Sequence, residues 1–126
     1  MKLQFCLAQR VALWRGLLLV AMLVLLVLSL MPPSPQMPST GWDKSNHALA
    51  FAVLAFLGNR AWPKQPVPVL LGLLAYGGLI EALQSFTPDR FAEWEDLLAD
   101  AVGLLLGEAL ARLVWRHRAS ERGADL

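Results

Sequence analysis

The chain lacks most of what a soluble or secreted domain relies on. Only 17% of its 126 residues are charged, against 56% hydrophobic, and its mean hydropathy is +0.49; soluble domains carry about 25% charged residues. The single cysteine, Cys6, excludes an intrachain disulfide. Leu3-Gln4-Phe5 before it is not a lipobox, so Cys6 reads as a bystander. A net charge of +1 leaves no footprint for nucleic acid, and none is expected as a partner. No Ser-His-Asp or phosphate-loop motif is present, and Ser85 beside Gln84 is a weak nucleophile candidate. There is also no H-E-x-x-H or paired-cysteine pattern. Histidine and carboxylates are competent metal ligands, but the sequence assigns no metal and identifies no cofactor.

What the chain has in quantity is long apolar runs. Residues 16–31 form sixteen residues without a charge, closed by Pro32-Pro33, which cannot continue a helix. Residues 47–58 are a shorter run. Residues 67–86 hold one charge, Glu81, and residues 97–115 hold Asp100, Glu108 and Arg112. A spanning helix needs roughly 20 residues; the first two runs reach that length only if Arg15 snorkels and polar ends reach the interface. A soluble four-helix bundle would need a polar face on every helix, and residues 16–31 have none. A cleaved signal peptide would fit the basic start (Lys2, Arg10, Arg15), but no A-x-A cleavage pattern follows. The expectation is one domain over residues 1–126, an all-α integral membrane bundle of four transmembrane helices. They are placed at about 13–31, 43–60, 66–86 and 95–115, with residues 116–126 as a cytoplasmic tail.

Basic residues orient it. With both termini inside, Lys2, Arg10, Arg15, Arg60, Lys64, Arg112, Arg116, Arg118 and Arg122 are cytoplasmic, and only Lys44 and Arg90 lie outside. Nine against two is the asymmetry of a multi-pass cell-membrane protein. Trp42, Trp62, Trp94 and Trp115 then fall near the interfaces, as an aromatic belt would place them.

This topology gathers polar residues on the outer side. Asp43, Lys44 and His47 begin the second helix, Glu81 and Gln84 end the third, and Asp96 and Asp100 begin the fourth after Arg90. Asp43 and His47 share a face with Phe51 and Ala55; Glu81 and Gln84 follow Gly77 and Gly78; Asp96 and Asp100 precede Gly103 and Gly107. Small residues let membrane helices approach closely, so these acids should point into the bundle. Ionisable groups in membranes suggest function by default. His47, Glu81, Asp96 and Asp100 are therefore catalytic candidates, and Asp43, Lys44, Gln84 and Arg90 are substrate-binding candidates. The acids outnumber the bases here, so at least one acid, Glu81 as the deepest, is expected to stay protonated. Structural readings stand beside these. Thr40-Gly-Trp-Asp43 fits a capping box, and Lys44 and Arg90 could simply neutralise acids. Asp89, Glu93 and Glu95 read as solvated loop charges, Glu108 and Arg112 as an internal ion pair, and His117 as a surface residue.

At "DKSNHALAFAVLAF" (43–56) and "EALQSFTPDRFAEWEDLLADAVG" (81–103) the sequence resembles the VanZ-like family of small membrane proteins. The pattern is D-K-x-x-H-x-x-x-F, then E-x-x-Q and R, then D-x-x-x-N-x-x-G. Asp43, Lys44, His47, Phe51, Glu81, Gln84, Arg90, Asp96 and Gly103 match it; Asp100 stands where the family usually has Asn. The family's namesake is associated with reduced susceptibility to teicoplanin, a glycopeptide acting outside the cell membrane, but the family name supplies no reaction. The outward polar cluster leads to the expectation of an envelope protein whose pocket acts on or binds an envelope lipid or a cell-wall-related amphiphile, with membrane lipids as its surroundings. A non-catalytic binding or structural role in an envelope complex is the alternative.

Overall fold

A computed structural model describes residues 1–32 and 43–124, with side chains of the second helix from residue 44 onward. Within these residues the chain is helical and contains no strand. The helices are α1 (Lys2–Leu30), α2 (Asp43–Ala61), α3 (Pro66–Ser85) and α4 (Trp94–Ala124). Prolines set several boundaries. Met31, which precedes Pro32, is forced out of the helical region to φ −67°, ψ 146°, and α1 stops there. Pro66 opens α3, where its missing N–H costs nothing. Two ends differ from expectation. α1 starts at Lys2 rather than near residue 13, and α4 continues past Trp115 to Ala124, so most of the expected tail is helix. The apolar runs mark only the greasy part of each helix, whereas Arg, Ala and Glu beyond them are good helix formers.

The helices alternate in direction. Tyr76 on α3 donates to the Met22 carbonyl of α1, and Gln84 on α3 donates to Ser29 O at 3.0 Å, so α1 and α3 run together. Arg15 on α1 reaches the Ala61 carbonyl at the end of α2, so α2 runs the other way. The α2–α4 seam is the closest. A Cβ on Gly103 would run into the Ala48 carbonyl, and one on Gly107 into the Ala52 carbonyl. Gly103-x-x-x-Gly107 thus lies against Ala48-x-x-x-Ala52, bare backbone on bare backbone. Phe51, Leu54, Ala55, Leu73, Ile80 and Leu104 fill the core around it.

The distribution of polarity is reversed from that of a soluble bundle. On α4 the buried residues include Asp96, Asp100 and Glu108, while Leu98, Val102, Leu105, Leu106, Leu110 and Leu113 are exposed. α1 and α3 are long and apolar enough to cross a membrane. The charges of α2 and α4 depress their average hydropathy, and on α4 the carboxylates of Asp96, Asp100 and Glu108 turn inward.

The end of the bundle near the chain termini is held by arginine and tryptophan. Arg60 lies 3.7 Å from the Trp115 ring and 5.7 Å from that of Trp14, and Arg15 lies 4.7 Å from Trp62. The expected Glu108–Arg112 ion pair is present at 2.8 Å. Asn59 adds a donor to the same carboxylate. Trp94 is exposed, and Trp42 and the Thr40–Asp43 capping box lie outside the described residues and side chains. Two grooves of about 610 and 220 Å³ lie on this side, both lined by Val11 and Arg15.

Candidate functional site

The first turns of α2 and α4 and the last turn of α3 meet at the opposite end. His47 is the hub. Its Nδ1 lies 2.9 Å from Asp100 Oδ1, and its Nε2 lies 3.6 Å from Asp96 Oδ2. Asp96 and Asp100 are one helical turn apart on α4, so the imidazole edge spans both. The close α2–α4 seam one turn further on sets the reach. Asp100 is 1% exposed and its carboxylate packs against the α-carbon of Gly77, where any side chain would displace it.

Glu81 approaches from α3. Its Oε2 accepts the backbone N–H of Glu93 at 2.9 Å, immediately before α4 begins. A carboxylate at a helix N-terminus satisfies an orphan donor and meets the positive end of the helix dipole. The other oxygen, Oε1, is buried without a hydrogen-bond partner among the described residues. One donor atom from each of His47, Glu81 and Asp96 lies within 4.8 Å of the other two. Lys44 closes the cluster toward solvent, 3.0 Å from Glu93 Oε2, 3.0 Å from Glu95 Oε2 and 3.6 Å from Asp96 Oδ1.

Five of the eight candidates therefore converge: Lys44, His47, Glu81, Asp96 and Asp100. The side chain of Asp43 lies outside the described ones. Gln84 is buried but turns to α1, donating to Ser29 O. Ser85 donates to Ala82 O on an exposed face of its own helix and takes no part. Arg90 departs most from expectation. Rather than joining the acids, it donates to Met31 O through Nε at 2.9 Å and Nη2 at 2.6 Å, and to Leu28 O at 3.3 Å. These are end carbonyls of α1, which Pro32 leaves without the next N–H, and a cation is favourable at a helix C-terminus.

Glu93 and Glu95, read as solvated loop charges, are exposed, and both also hold Lys44. Glu95 is one residue from Asp96, and the single cation at the start of α2 was the available signal. Asp89 is exposed, with φ 62°. Gly78 differs from its neighbour in having open space where a side chain would stand.

The Arg90 geometry makes a specific demand. Arg90→Ala should lower the stability of the detergent-solubilised chain by about 1 kcal/mol, charge-assisted bonds being discounted here for partial exposure. Arg90→Lys should recover less than half, because one ammonium cannot reproduce the fork. Full recovery by lysine would show that charge alone matters at this position.

A family model described as VanZ/LLP1 matches residues 17–115, from within α1 to Trp115 on α4. Comparisons with curated proteins and with solved structures return no match.

Proposed function

The chain belongs to the VanZ/LLP1 family, and from this membership we propose an integral membrane protein of four spans with both termini cytoplasmic. Its polar cluster would face the extracytoplasmic side and act on or bind the head group of an envelope lipid or cell-wall-related amphiphile. The observation that carries this reading is the burial of Glu81, Asp96 and Asp100 around the half-buried His47 at one end of a bundle whose outer surface is rich in leucine and valine. Carboxylates removed from water without full pairing are costly, and the α1–α4 scaffold would be simpler without them. The alternating helix directions support four crossings, and the nine-to-two distribution of basic residues supports the orientation.

The geometry also narrows the head group. Lys44 is surrounded by three carboxylates and Arg90 caps α1, so a bare phosphate meets an acid-lined entrance. A head group with hydroxyls or an amine suits that entrance, and a phosphate needs a cation beside it. Within the site, His47 and its flanking acids have the chemistry either to move a proton or to hold a cation.

The test uses the full chain in lipid nanodiscs with phosphatidylethanolamine and phosphatidylglycerol probes. It compares wild type with His47→Ala and Glu81→Gln, and a Glu95→Cys label on a Cys6→Ser background in intact cells reports the side. Head-group turnover lost in both variants supports an enzyme. Binding without turnover supports the non-catalytic alternative. Folded variants that bind and behave as wild type would reduce the cluster to a clamp on helix ends, and labelling only after lysis would overturn the orientation.

A further inference from the structure

We propose that His47, Glu81 and Asp96 form a site for one divalent transition-metal ion of the zinc or manganese kind, with Asp100 as the residue that positions His47. The site is the one described above, but binding of the ion stands independently of any amphiphile.

The first argument is lone-pair geometry. With Asp100 ionised and His47 neutral, the 2.9 Å contact places the imidazole proton on Nδ1. That leaves the Nε2 lone pair facing the Asp96 carboxylate at 3.6 Å. Two acceptors cannot hydrogen-bond each other, and 3.6 Å is also too long for a proton to be shared between them, N–H···O bonds lying at about 2.7–3.2 Å. The separation suits a metal instead. Ligands about 2.0–2.2 Å from a tetrahedral ion stand about 3.3–3.6 Å apart. Glu81, whose donor falls within 4.8 Å of the others, completes the triad with an inward shift of about 1 Å set by the same spacing.

The second argument is an unmet buried oxygen. Glu81 is 9% exposed, and its Oε1 has no hydrogen-bond partner among the described residues. Buried polar atoms are rarely left so. Asp96 turns one oxygen to His47 and the other to Lys44, so the lysine does not occupy the ligand side.

The third is charge. Three buried carboxylates share one imidazole, while Lys44 divides its charge with Glu93 and Glu95. The surplus that the sequence assigns to a proton on Glu81 is met as well by a dication. Asp100 on Nδ1 is the carboxylate–histidine–metal relay that fixes a ligand imidazole. One nitrogen and two carboxylate oxygens suit zinc or manganese better than the all-oxygen cages of calcium. Three protein ligands leave a position open for water or substrate. No sequence motif announced this because the ligands come from three helices. The ion would also let the acid-lined entrance accept a phosphate.

The test is metal binding by the full-length chain in detergent after chelator treatment. Titration with Zn²⁺ and Mn²⁺ should show one ion per chain, and Co²⁺ should give the visible d–d bands of a low-coordinate nitrogen–oxygen site. Glu81→Gln and Asp96→Asn should each weaken binding at least tenfold. Asp100→Asn should weaken it about tenfold or more, as outer partners of metal ligands do. His117→Ala and Glu121→Gln, at the exposed far end of α4, should leave it unchanged. Absence of the wild-type Co²⁺ bands together with no stoichiometric Zn²⁺ or Mn²⁺ uptake would overturn the proposal, whatever the variants do. Binding equally strong in Glu81→Gln and Asp96→Asn would overturn it too. Neither result touches the amphiphile reading, whose nanodisc assay is separate.

Discussion

Gly103→Leu is expected to destroy the α2–α4 seam, lowering the stability of the detergent-solubilised chain by about 3 kcal/mol or more. The obstacle at this position is the Ala48 carbonyl, which is backbone and cannot rotate away. Even alanine is too large, since the first side-chain carbon already collides. Gly103→Ala should therefore destabilise, although alanine at an unobstructed helical position gains about 1 kcal/mol over glycine. Gly107, one turn on, faces Ala52 in the same way, and because the two substitutions push apart one interface their effects should not add. Gly72 on α3 supplies the control, having nothing within 4 Å of where a side chain would begin. Gly72→Leu should leave the melting temperature within a degree or two of wild type or raise it. A Gly103→Leu protein that melts like Gly72→Leu would mean that α2 and α4 do not touch here. The seam also holds His47 level with Asp96 and Asp100, so the same substitution should abolish metal uptake.

Much of this was legible in the sequence because spacing along a helix is a strong constraint. His47, Phe51 and Ala55 at four-residue intervals do share a buried face, and Asp96, Asp100, Gly103 and Gly107 do line one side of α4. The turn of each helix at which the acids sit was readable for the same reason. Partners were less legible. Arg90 and Glu81 both lie near the cluster in a topological sketch, yet Arg90 is drawn to the carbonyls that Pro32 leaves exposed on α1, and Glu81 to the amide just before α4. Both are backbone groups, which a reading of side-chain charges passes over. The helices run on beyond the expected spans at residues 2–12 and 116–124, where polarity and helix formation part company. The pairing of Gly77 with Asp100 links positions 23 residues apart across two helices, and neither residue's own surroundings indicate it.

That pairing is the basis of the second large effect. Asp100→Leu should cost about 1–3 kcal/mol, the usual penalty for stranding a buried donor, because His47 Nδ1–H loses its acceptor while leucine fills a similar volume. Asp100→Asn should cost less than about 1 kcal/mol, since the amide oxygen can still accept from Nδ1 and a buried charge is removed. Asparagine is also the residue the family pattern favours at this place. Stability therefore separates the two substitutions, whereas metal affinity falls in both. Gly77→Ala provides a third measurement without altering any polar atom. The added methyl carbon would stand 2.5 Å from Asp100 Oδ2 and 3.2 Å from the Phe51 ring, so the carboxylate must leave and its bond to His47 lengthens. Gly77→Ala should then resemble Asp100→Leu in stability. Combining the two should cost little more than either alone, because each removes the same hydrogen bond. Thermal unfolding of the four variants in one detergent decides the matter. Equal stabilities for Asp100→Leu and Asp100→Asn would show that His47 does not depend on this acceptor. Fully additive losses for Gly77→Ala with Asp100→Leu would show that the glycine serves helix packing rather than the position of the carboxylate.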